Sequence, residues 1–408
     1  MKYTDNLKHR SGLTSQLVIA GLAVLTAVPG YATDGYFDYG YGVKAKGIGG
    51  AGVAFPQDAL APATNPAGAA FLDDQLDFGL SYFRPNRSAD FNGGHFEGNG
   101  KENFFIPEIG AKYSLTSDLS LALAVYGNGG MNTDYAAPLF DTAYPGTPSN
   151  AGINLEQLFI APTLAYKVAE GHAFGVSPIF AYQRFKATGL EEFGVASAGN
   201  DESYGGGVRV GYTGVLTDWL SVGATYQSRI YASRFDKYSG LFAGQGDFDI
   251  PSNFALGFAV HPIKPLTFAF DVERILYSQV NSVGNLLTPA NSQSLGADSG
   301  PGFGWKDVTA IKTGIAYEVT DTLTLRVGYN YSTQPIRDSQ TYFNILAPGV
   351  VQHHATAGVT WKFRENWDLS AFYAHAFEQK VSGDGPPFGV ADLAMKQDSF
   401  GLSVGWQF

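Results

Sequence analysis

The sequence has no cysteine and unusually few charged residues for its 408 positions. Without cysteine, the chain cannot form disulfide bonds, thiolate metal sites or cysteine nucleophiles. Charged residues make up 15 % of the chain, whereas an ordinary soluble domain contains roughly 25 %. Acidic residues outnumber basic residues by 37 to 26 and the sequence pI is about 5.0, so we do not expect nucleic acid as a partner.

Long hydrophobic runs are also missing. A transmembrane helix requires about 18 or more consecutive apolar residues, and the longest run, residues 17–28, is too short. The chain is instead rich in glycine and aromatic residues, with 51 Gly, 30 Phe, 23 Tyr and 5 Trp. This combination is typical of a transmembrane β-barrel, in which only every second strand residue faces lipid.

Alternating polarity supports the barrel interpretation. Residues 322–332 place Leu323, Leu325 and Val327 on one face and polar or small residues on the other. The same period of two recurs in residues 119–125, 266–272 and 399–408. Strands of a soluble β-sandwich also alternate, but their solvent face carries more charge than these segments do.

Six short polar segments separate the alternating runs, as expected for the tight periplasmic turns of an outer-membrane barrel. They are centred on Ser117, Glu170, Thr217, Ile263, Thr320 and Arg364. Each interval between turns has room for two strands and one long external loop, so six turns define twelve strands. A first strand near residues 76–84, with an external loop near 89–102, and a last strand at 398–408 complete an all-β, 14-stranded antiparallel transmembrane barrel.

The residues before the barrel, which is predicted at 76–408, divide into two parts. Lys2, Lys8 and Arg10 precede the apolar run, and small residues follow it, which is the pattern of a signal peptide. We therefore predict removal of residues 1–32 and export to the bacterial outer membrane. Residues 33–75 are rich in Gly, Ala and Pro and are interpreted as an N-terminal plug, or hatch, in the barrel lumen. The alternative for this part is a disordered periplasmic tail.

Motifs that would indicate an enzyme or a cofactor site are not supported by their context. Residues 47–52 match the pattern GxGxxG, but no strand precedes them and Pro56 would interrupt a following helix. The adjacent His353 and His354 lie in a predicted strand, point to opposite faces and cannot share a metal ion. Neither has a serine two positions further on, as a barrel phospholipase would. We expect no catalytic residues, no metal and no cofactor.

Isolated charged residues fall on the inner faces of the predicted strands. The basic ones are Arg209, Arg229, Lys312 and Arg326, and the acidic ones are Asp271, Glu273 and Glu318. The basic side chains could bind a ligand carboxylate in the low-dielectric lumen, or opposite charges could pair across it. The sequence leaves both interpretations open.

Several segments resemble the outer-membrane long-chain fatty acid and hydrophobic-compound transporters of the FadL/TodX type. In the plug, the resemblance rests on residues 47–54, on Asp58 and on the hatch motif Asn65, Pro66 and Ala67. Further similar segments are residues 126–135, 157–162, 226–228, 247–251, 302–307 and 406–408. The resemblance implies a fourteen-stranded barrel with a lumenal hatch, in agreement with the turn count.

The resemblance also implies a lateral gate. In this family the third strand bends inward and opens a gap in the wall, through which the ligand diffuses sideways into the membrane. The third predicted strand here ends in Gly127, Asn128, Gly129 and Gly130. Glycines weaken a strand, although the pattern alone also fits the start of an external loop. By the same resemblance, Tyr36 and Phe37 near the mature N-terminus are candidate ligand contacts.

The functional hypothesis is passive uptake of a long-chain fatty acid or another hydrophobic compound across the outer membrane. A water-filled pore does not suit such a solute, because exposing it to water costs about 0.8 kcal/mol per CH₂. The alternatives are a general porin for small solutes and a barrel lipase or esterase. The expected partners are the hydrophobic ligand, outer-membrane lipid and the barrel-assembly machinery, which would recognise the C-terminal Phe408. We expect the protein to be a monomer.

Overall fold

The computed structural model describes residues 34–140, 150–292 and 294–408. The signal peptide expected at residues 1–32 lies outside these ranges and stays a prediction. Within the ranges, no helix has the length and apolar character needed to cross a membrane.

The described residues form one antiparallel sheet that closes on itself. Its fourteen long strands are β1 (Gln75–Phe91), β2 (Phe104–Ser114), β3 (Leu119–Asn132), β4 (Gly152–Ala169), β5 (His172–Thr188), β6 (Asp201–Thr217), β7 (Leu220–Gln227), β8 (Asn253–Ile263), β9 (Leu266–Ile275), β10 (Val308–Thr320), β11 (Leu323–Ser332), β12 (His353–Arg364), β13 (Trp367–Val381) and β14 (Ala391–Gln407). Each strand pairs with its neighbours in sequence, and β14 pairs with β1. Two short strands, Gly94–Glu97 and Tyr231–Ala232, pair with β1 and β6. The predicted fourteen-stranded barrel is confirmed.

Tight turns and long connections lie at opposite ends of the barrel. The six tight turns follow β2, β4, β6, β8, β10 and β12, as the sequence predicts. The long connections contain short helices. These are the α-helices Ala243–Gly246, Asn281–Gly284 and Thr341–Asn344 and the 3₁₀-helices Glu191–Phe193, Asp236–Tyr238, Tyr277–Gln279 and Asp338–Gln340.

Side chains alternate between lipid-facing and lumen-facing positions. In β11, Leu325 and Val327 are 46 % and 54 % exposed on the outer surface, whereas Arg326 between them is buried. Four tryptophans lie beside the tight turns on the outer surface: Trp219, Trp361, Trp367 and Trp406. Indole rings favour the boundary between membrane and water, so the tight turns mark one membrane interface.

Strand β1 is longer than the sequence predicts. Residues 84–90 contain a proline and several polar residues, and the sequence predicts that the strand ends near residue 84. In the structure β1 continues to Phe91, because β14 pairs with it along its whole length, from Gln407 to Ala391. Arg87, expected close to the start of an external loop, is therefore a buried strand residue that faces the lumen.

Residues 34–74, here called the N-terminal segment, lie inside the barrel. They contain the α-helix Val43–Lys46 and the 3₁₀-helices Ala61–Ala63 and Pro66–Phe71. Glycines on the inner wall allow the segment to approach closely. A Cβ atom at Gly175 of β5 would lie 2.3 Å from the carbonyl carbon of Pro66. One at Gly328 of β11 would lie 2.2 Å from the backbone nitrogen of Gly49.

Buried charges attach the N-terminal segment to the wall. The Lys44 ammonium lies 2.9 Å from the Asp368 carboxylate of β13. On β9, Asp271 accepts hydrogen bonds from the backbone N–H groups of Gly52 and Val53 at 2.6 and 2.9 Å. Charge-assisted hydrogen bonds of this kind are stronger than neutral ones, so they hold the segment in one position.

Candidate functional site

The barrel wall is interrupted between β2 and β3. The two strands pair from Ser114 opposite Ser120 to Ile109 opposite Val125, and no further pairing between them occurs in the described residues. Beyond that point, residues 104–108 of β2 keep their pairing with β1, and residues 126–132 of β3 keep their pairing with β4. We call the interval between these two stretches the wall opening.

Two features frame the wall opening. In β3, the pairing with β4 shifts register between Gly127 and Gly129, so Asn128 forms a β-bulge. A bulge bends a strand and changes its direction. On the external side, the chain before β2 returns to β3, because the Asp134 N–H donates to the Gly98 carbonyl and the Gly100 N–H donates to the Asp134 carbonyl. The opening is thus bounded at both ends.

The N-terminal segment pairs with the free edge of β3. Phe37 forms an antiparallel β-bridge with Gly129. The Gly130 N–H donates to the Tyr36 carbonyl and the Asp38 N–H donates to the Asn128 carbonyl, each at 2.9 Å. These bonds satisfy backbone groups that β2 leaves unpaired, as the membrane environment requires.

The Asn128 side chain connects the bulge to the lumen. It is fully buried, donates to the Gln157 Oε1 atom at 2.9 Å and accepts from the Tyr41 hydroxyl at 2.9 Å. Gln157 in turn donates to Gln183, which donates to the Phe248 carbonyl. The bulge therefore lies at the end of a continuous buried hydrogen-bond chain.

Tyr36 and Phe37 are buried in an aromatic cluster. The Tyr36 and Tyr277 rings are 5.0 Å apart, and the Tyr277 and Trp305 rings are 5.2 Å apart. The Tyr277 hydroxyl accepts hydrogen bonds from the N–H groups of Tyr36 and Phe37 at 3.1 and 3.2 Å. It donates to the Asp34 carbonyl at 2.6 Å. One side chain from an external connection thus holds three backbone groups of the N-terminal segment.

We predict that Tyr277→Phe loosens residues 34–37 while the barrel stays intact. The substitution removes one hydrogen bond from each of three buried backbone groups, at a cost of about 1–3 kcal/mol each. The amides of Tyr36 and Phe37 should exchange with solvent at least roughly tenfold faster, which hydrogen–deuterium exchange measures. Tyr204→Phe, which changes a tyrosine 61 % exposed on the outer surface, is the control. Equal exchange in both variants would contradict the anchoring role.

Two apolar cavities lie on the external side of the N-terminal segment. The outer cavity lies between the external connections, and Phe185, Phe193 and Phe343 line it. The inner cavity lies beside the outer rim of the wall opening, and Met131 and Trp305 line it. Side chains fill both cavities almost completely and leave room for about one water molecule in each. A hydrophobic molecule therefore fits only after these apolar side chains move apart.

Two of the predicted basic residues are ion-paired. Lys312 lies 2.7 Å from Glu273 and 3.5 Å from Asp34. Arg229 was wrongly predicted to lie on the inner face of a strand: it follows the end of β7 at Gln227, and its guanidinium lies 2.6 Å from Asp249 in the same external connection. Pairing of opposite charges is therefore the arrangement at these two positions.

The other two predicted basic residues lack a carboxylate within 4 Å in the described part of the chain. Arg209 donates to Gln227 and, at 3.5 Å, to the hydroxyl of Tyr126 in β3. Arg326 donates to Gln57 of the N-terminal segment at 2.7 Å.

Sequence reasoning missed Arg87 and Tyr277. Only a correct boundary for β1 would have revealed Arg87, and Tyr277 shows no sequence signal because its role depends on tertiary contacts.

Asp34 makes the position of the N-terminal segment sensitive to pH. Burial raises the pKa of the Asp34 carboxyl to about 7, the nearby Lys312 ammonium lowers it, and Glu273 adds to the rise. In a released segment this pKa returns to its ordinary value of 3.8. Because the protonated form fits the buried site better, docking is strongest below pH 3.8 and weakens as the pH rises through about 7.

We therefore expect residues 34–37 to be less protected at pH 8 than at pH 5, measured by hydrogen exchange corrected for the intrinsic rate. Asp34→Asn keeps the side-chain shape and removes the titrating group, so its protection should not change with pH. A pH dependence that persists in Asp34→Asn would assign the effect to another group.

The hatch motif binds the inner wall. The Asn65 side chain donates to the carbonyls of Val53 and Tyr212 at 2.7 and 3.0 Å and to the Thr213 hydroxyl at 3.0 Å. It also accepts from the Ala67 N–H and so caps the helix Pro66–Phe71. The chemistry of an amide, which donates and accepts at once, explains why asparagine occupies this position.

Comparisons with known proteins agree with this geometry. Residues 41–386 match the family described as outer membrane protein transport protein (OMPP1/FadL/TodX). The fold is similar to the toluene transporter TodX of Pseudomonas putida, with a TM-score of 0.68, 17 % identity, and coverage of 91 % of this chain and 99 % of that chain. A FadL homologue of Pseudomonas aeruginosa gives a TM-score of 0.69 and 16 % identity, with coverage of 92 % and 100 %.

The chain is also similar to a second toluene transporter and, over a short segment, to an uncharacterized protein. The toluene transporter TbuX of Ralstonia pickettii gives a TM-score of 0.66 and 17 % identity, covering 91 % of this chain and 99 % of that chain. An uncharacterized protein in the phosphoenolpyruvate carboxykinase gene 5′ region of Chlorobium limicola is 34 % identical over 83 residues. The matching segment is 20 % of this chain and 41 % of the length of that protein.

The family match extends over most of the chain, and the solved structures share its closed barrel. The protein therefore belongs to the OMPP1/FadL/TodX family of outer-membrane transport proteins, whose members are channels and not enzymes.

Proposed function

We propose that the protein carries a hydrophobic compound, such as a long-chain fatty acid or an aromatic hydrocarbon, from outside the cell into the outer membrane through the wall opening. The observation that supports this most directly is the lost pairing between β2 and β3 beyond Ile109 and Val125. A sealed pore would not need such a gap, which leaves strand edges unpaired.

The proposed route runs through the two apolar cavities. The ligand enters the outer cavity between the external connections and passes to the inner cavity beside Met131 and Trp305. It then leaves sideways past residues 126–132 of β3. Transfer between apolar environments avoids the hydration cost of about 0.8 kcal/mol per CH₂ that an aqueous path would impose.

Residues 36–38 are the proposed gate. They lie on the β3 edge of the opening and make two backbone hydrogen bonds to it. These two hydrogen bonds contribute about 1 kcal/mol each and add to the contacts with Tyr277, so a ligand opens the gate by binding more tightly to the displaced state. Tyr36 and Phe37 would then contact the ligand as they move.

Uptake by cells tests the proposed function. The full chain would be expressed in a Gram-negative host that lacks its own carriers of this kind, and uptake of oleate and of toluene would be measured. We expect faster uptake of at least one compound than in cells with the empty vector. Unchanged uptake of both would overturn the proposal.

Photolabelling tests the lateral exit separately. A photoreactive fatty acid should label residues 126–132 of β3 and residues 104–108 of β2 in membranes. Labelling of residues 61–74 near the tight turns, without labelling of the strand edges, would instead indicate passage straight through the barrel.

A general porin for small solutes is the second candidate. The N-terminal segment argues against it, because inner-wall residues of β5, β9, β11 and β13 contact that segment directly. A porin would show steady ion conductance in planar bilayers, whereas we propose that residues 34–74 act as a plug.

Four further expectations remain proposals. They are the signal peptide, the plug as a separate unit, the monomeric state, and recognition of Phe408 by the barrel-assembly machinery. Phe408 is 53 % exposed at the end of β14, and its N–H donates to the Asp74 carbonyl.

A further inference from the structure

Phe248, in the external connection between β7 and β8, lies between the outer cavity and the proposed gate. Its side chain is fully buried. On one side its ring packs against Phe242, with the two ring centroids 4.8 Å apart, and Phe242 lines the outer cavity. On the other side its ring centroid lies 6.1 Å from that of Tyr36. A row of three rings thus leads from the outer cavity to the N-terminal segment.

The backbone of Phe248 is connected to the other partner of the gate, the bulge in β3. The Phe248 carbonyl accepts a hydrogen bond from Gln183 at 2.9 Å. Gln183 accepts from Gln157 at 2.8 Å, and Gln157 accepts from Asn128 at 2.9 Å. All three amide side chains are fully buried. Because buried amides that lose a partner are costly, this chain fixes the Phe248 carbonyl relative to the β3 edge.

Entry of a ligand into the outer cavity disturbs this arrangement, because the side chains that fill the cavity must move apart. Phe242 is one of those side chains. The chain next to Phe248 is anchored, since Asp249 accepts hydrogen bonds from the Arg229 Nε atom at 2.6 Å and from the Ala232 N–H at 2.8 Å. Protein interiors are close-packed and transmit strain. A displaced Phe242 ring therefore shifts Phe248 itself, and the external connection as a whole stays in place.

We propose that Phe248 couples occupancy of the outer cavity to release of residues 36–38. A ligand displaces the Phe242 ring, Phe248 shifts, and its contact with Tyr36 and its hydrogen bond from Gln183 weaken together. The undocked state of residues 36–38 then becomes more populated. This inference rests on the proposed function and adds a positioning residue to it. The coupling depends on the bulk of an apolar body and not on a charged head group.

Hydrogen exchange of the full-length protein in nanodiscs tests the ring contacts. Phe242→Ala removes the ring that packs on Phe248. Phe343→Ala is the matched control, because Phe343 also lines the outer cavity but packs on Phe193 and Tyr342. We expect the Tyr36 and Phe37 amides to exchange roughly tenfold faster in Phe242→Ala and less than about twofold faster in the control. Equal rates in the two variants would overturn the coupling.

A double-mutant cycle tests whether the effect passes through Phe248. In a Phe248→Ala background, Phe242→Ala should change the same exchange rates by no more than about twofold. A further tenfold rise would show that Phe242 reaches the gate by another path and would overturn the role of Phe248. The migration of unheated protein in a denaturing gel reports whether each barrel is folded. Phe248→Leu, which keeps an apolar side chain without the ring, replaces Phe248→Ala if that variant does not fold.

Added oleate and toluene separate this coupling from the proposed function. At least one of the two compounds should speed exchange of the Tyr36 and Phe37 amides in the wild-type protein and leave it unchanged in Phe248→Ala. If cells take up a compound that does not change exchange in the wild-type protein, or changes it equally in both proteins, the coupling alone is overturned. If cells take up neither compound, the proposed function itself fails, and the coupling fails with it.

Discussion

Gly129→Val is expected to displace residues 36–38 from the edge of the wall opening. A Cβ atom at position 129 would lie 1.8 Å from the Tyr36 carbonyl oxygen and 3.0 Å from the Phe37 Cα atom. Backbone atoms cannot move aside locally, so the two hydrogen bonds of the bridge are lost as well. At about 1 kcal/mol each, their loss alone raises the undocked fraction about 30-fold.

The absence of cysteine provides a direct readout for this prediction. A single thiol introduced by Phe37→Cys, at a site 1 % exposed, should react slowly with a water-soluble maleimide in the otherwise unchanged protein. It should react much faster when combined with Gly129→Val.

Gly206→Val is the matched control. This wall glycine lies in β6, and the nearest atom to an added Cβ is the Ile179 carbonyl oxygen at 3.9 Å. The control should fold, insert and protect the thiol like the parent protein. If the Gly129 and Gly206 variants label at the same rate, residues 36–38 do not close the opening as proposed.

Asn65→Ala is expected to loosen the N-terminal segment at its attachment to β6. The substitution removes four hydrogen bonds and leaves the carbonyls of Val53 and Tyr212 and the N–H of Ala67 without this partner. Unsatisfied buried groups cost about 1–3 kcal/mol each. The free energy that holds the segment in the lumen should therefore fall by more than the value of a single hydrogen bond to the wall. We expect a clear rise in ion leak through planar bilayers and faster proteolysis within residues 53–67.

Asn86→Ala controls for the loss of an asparagine amide. Asn86 lies on β1 and is exposed on its outer side, so its truncation should change neither leak nor proteolysis. Unchanged leak in Asn65→Ala would mean that the N-terminal segment is held by its other contacts, such as the Lys44–Asp368 pair, and that the motif is not needed to keep the lumen closed.

The strand number could be predicted from the sequence because its determinants are local. Alternation in residues 322–332 depends only on the geometry of a strand with one face toward lipid. The tight turns, such as that between β10 and β11, are marked by short polar segments. The predicted end of β1 was wrong because it depends on a distant part of the chain. Residues 84–90 have the local sequence of a loop and form a strand only because β14 pairs with them.

The candidate site was predictable in part. The sequence predicts that the third strand ends in Gly127–Gly130, whereas in the structure the strand continues through these residues to Asn132. Only the register shows that β2 leaves this edge free and that Gly129 meets Phe37. The basic residues show the same limit. The position of Arg209, Lys312 and Arg326 on an inner face follows from alternation, whereas the partner of Lys312 depends on which carboxylate is within reach.

The sequence by itself thus determined a closed barrel of fourteen strands, the end of the barrel at which the tight turns lie, and the inner faces of the alternating segments. These properties follow from a period of two and from turn chemistry, which act over a few residues. Tertiary structure decided where the wall is interrupted, which segment pairs with the free edge of β3, and that Arg87 lines a cavity beside it. Those properties depend on strand register and on contacts between residues far apart in the chain, and no local pattern encodes such contacts.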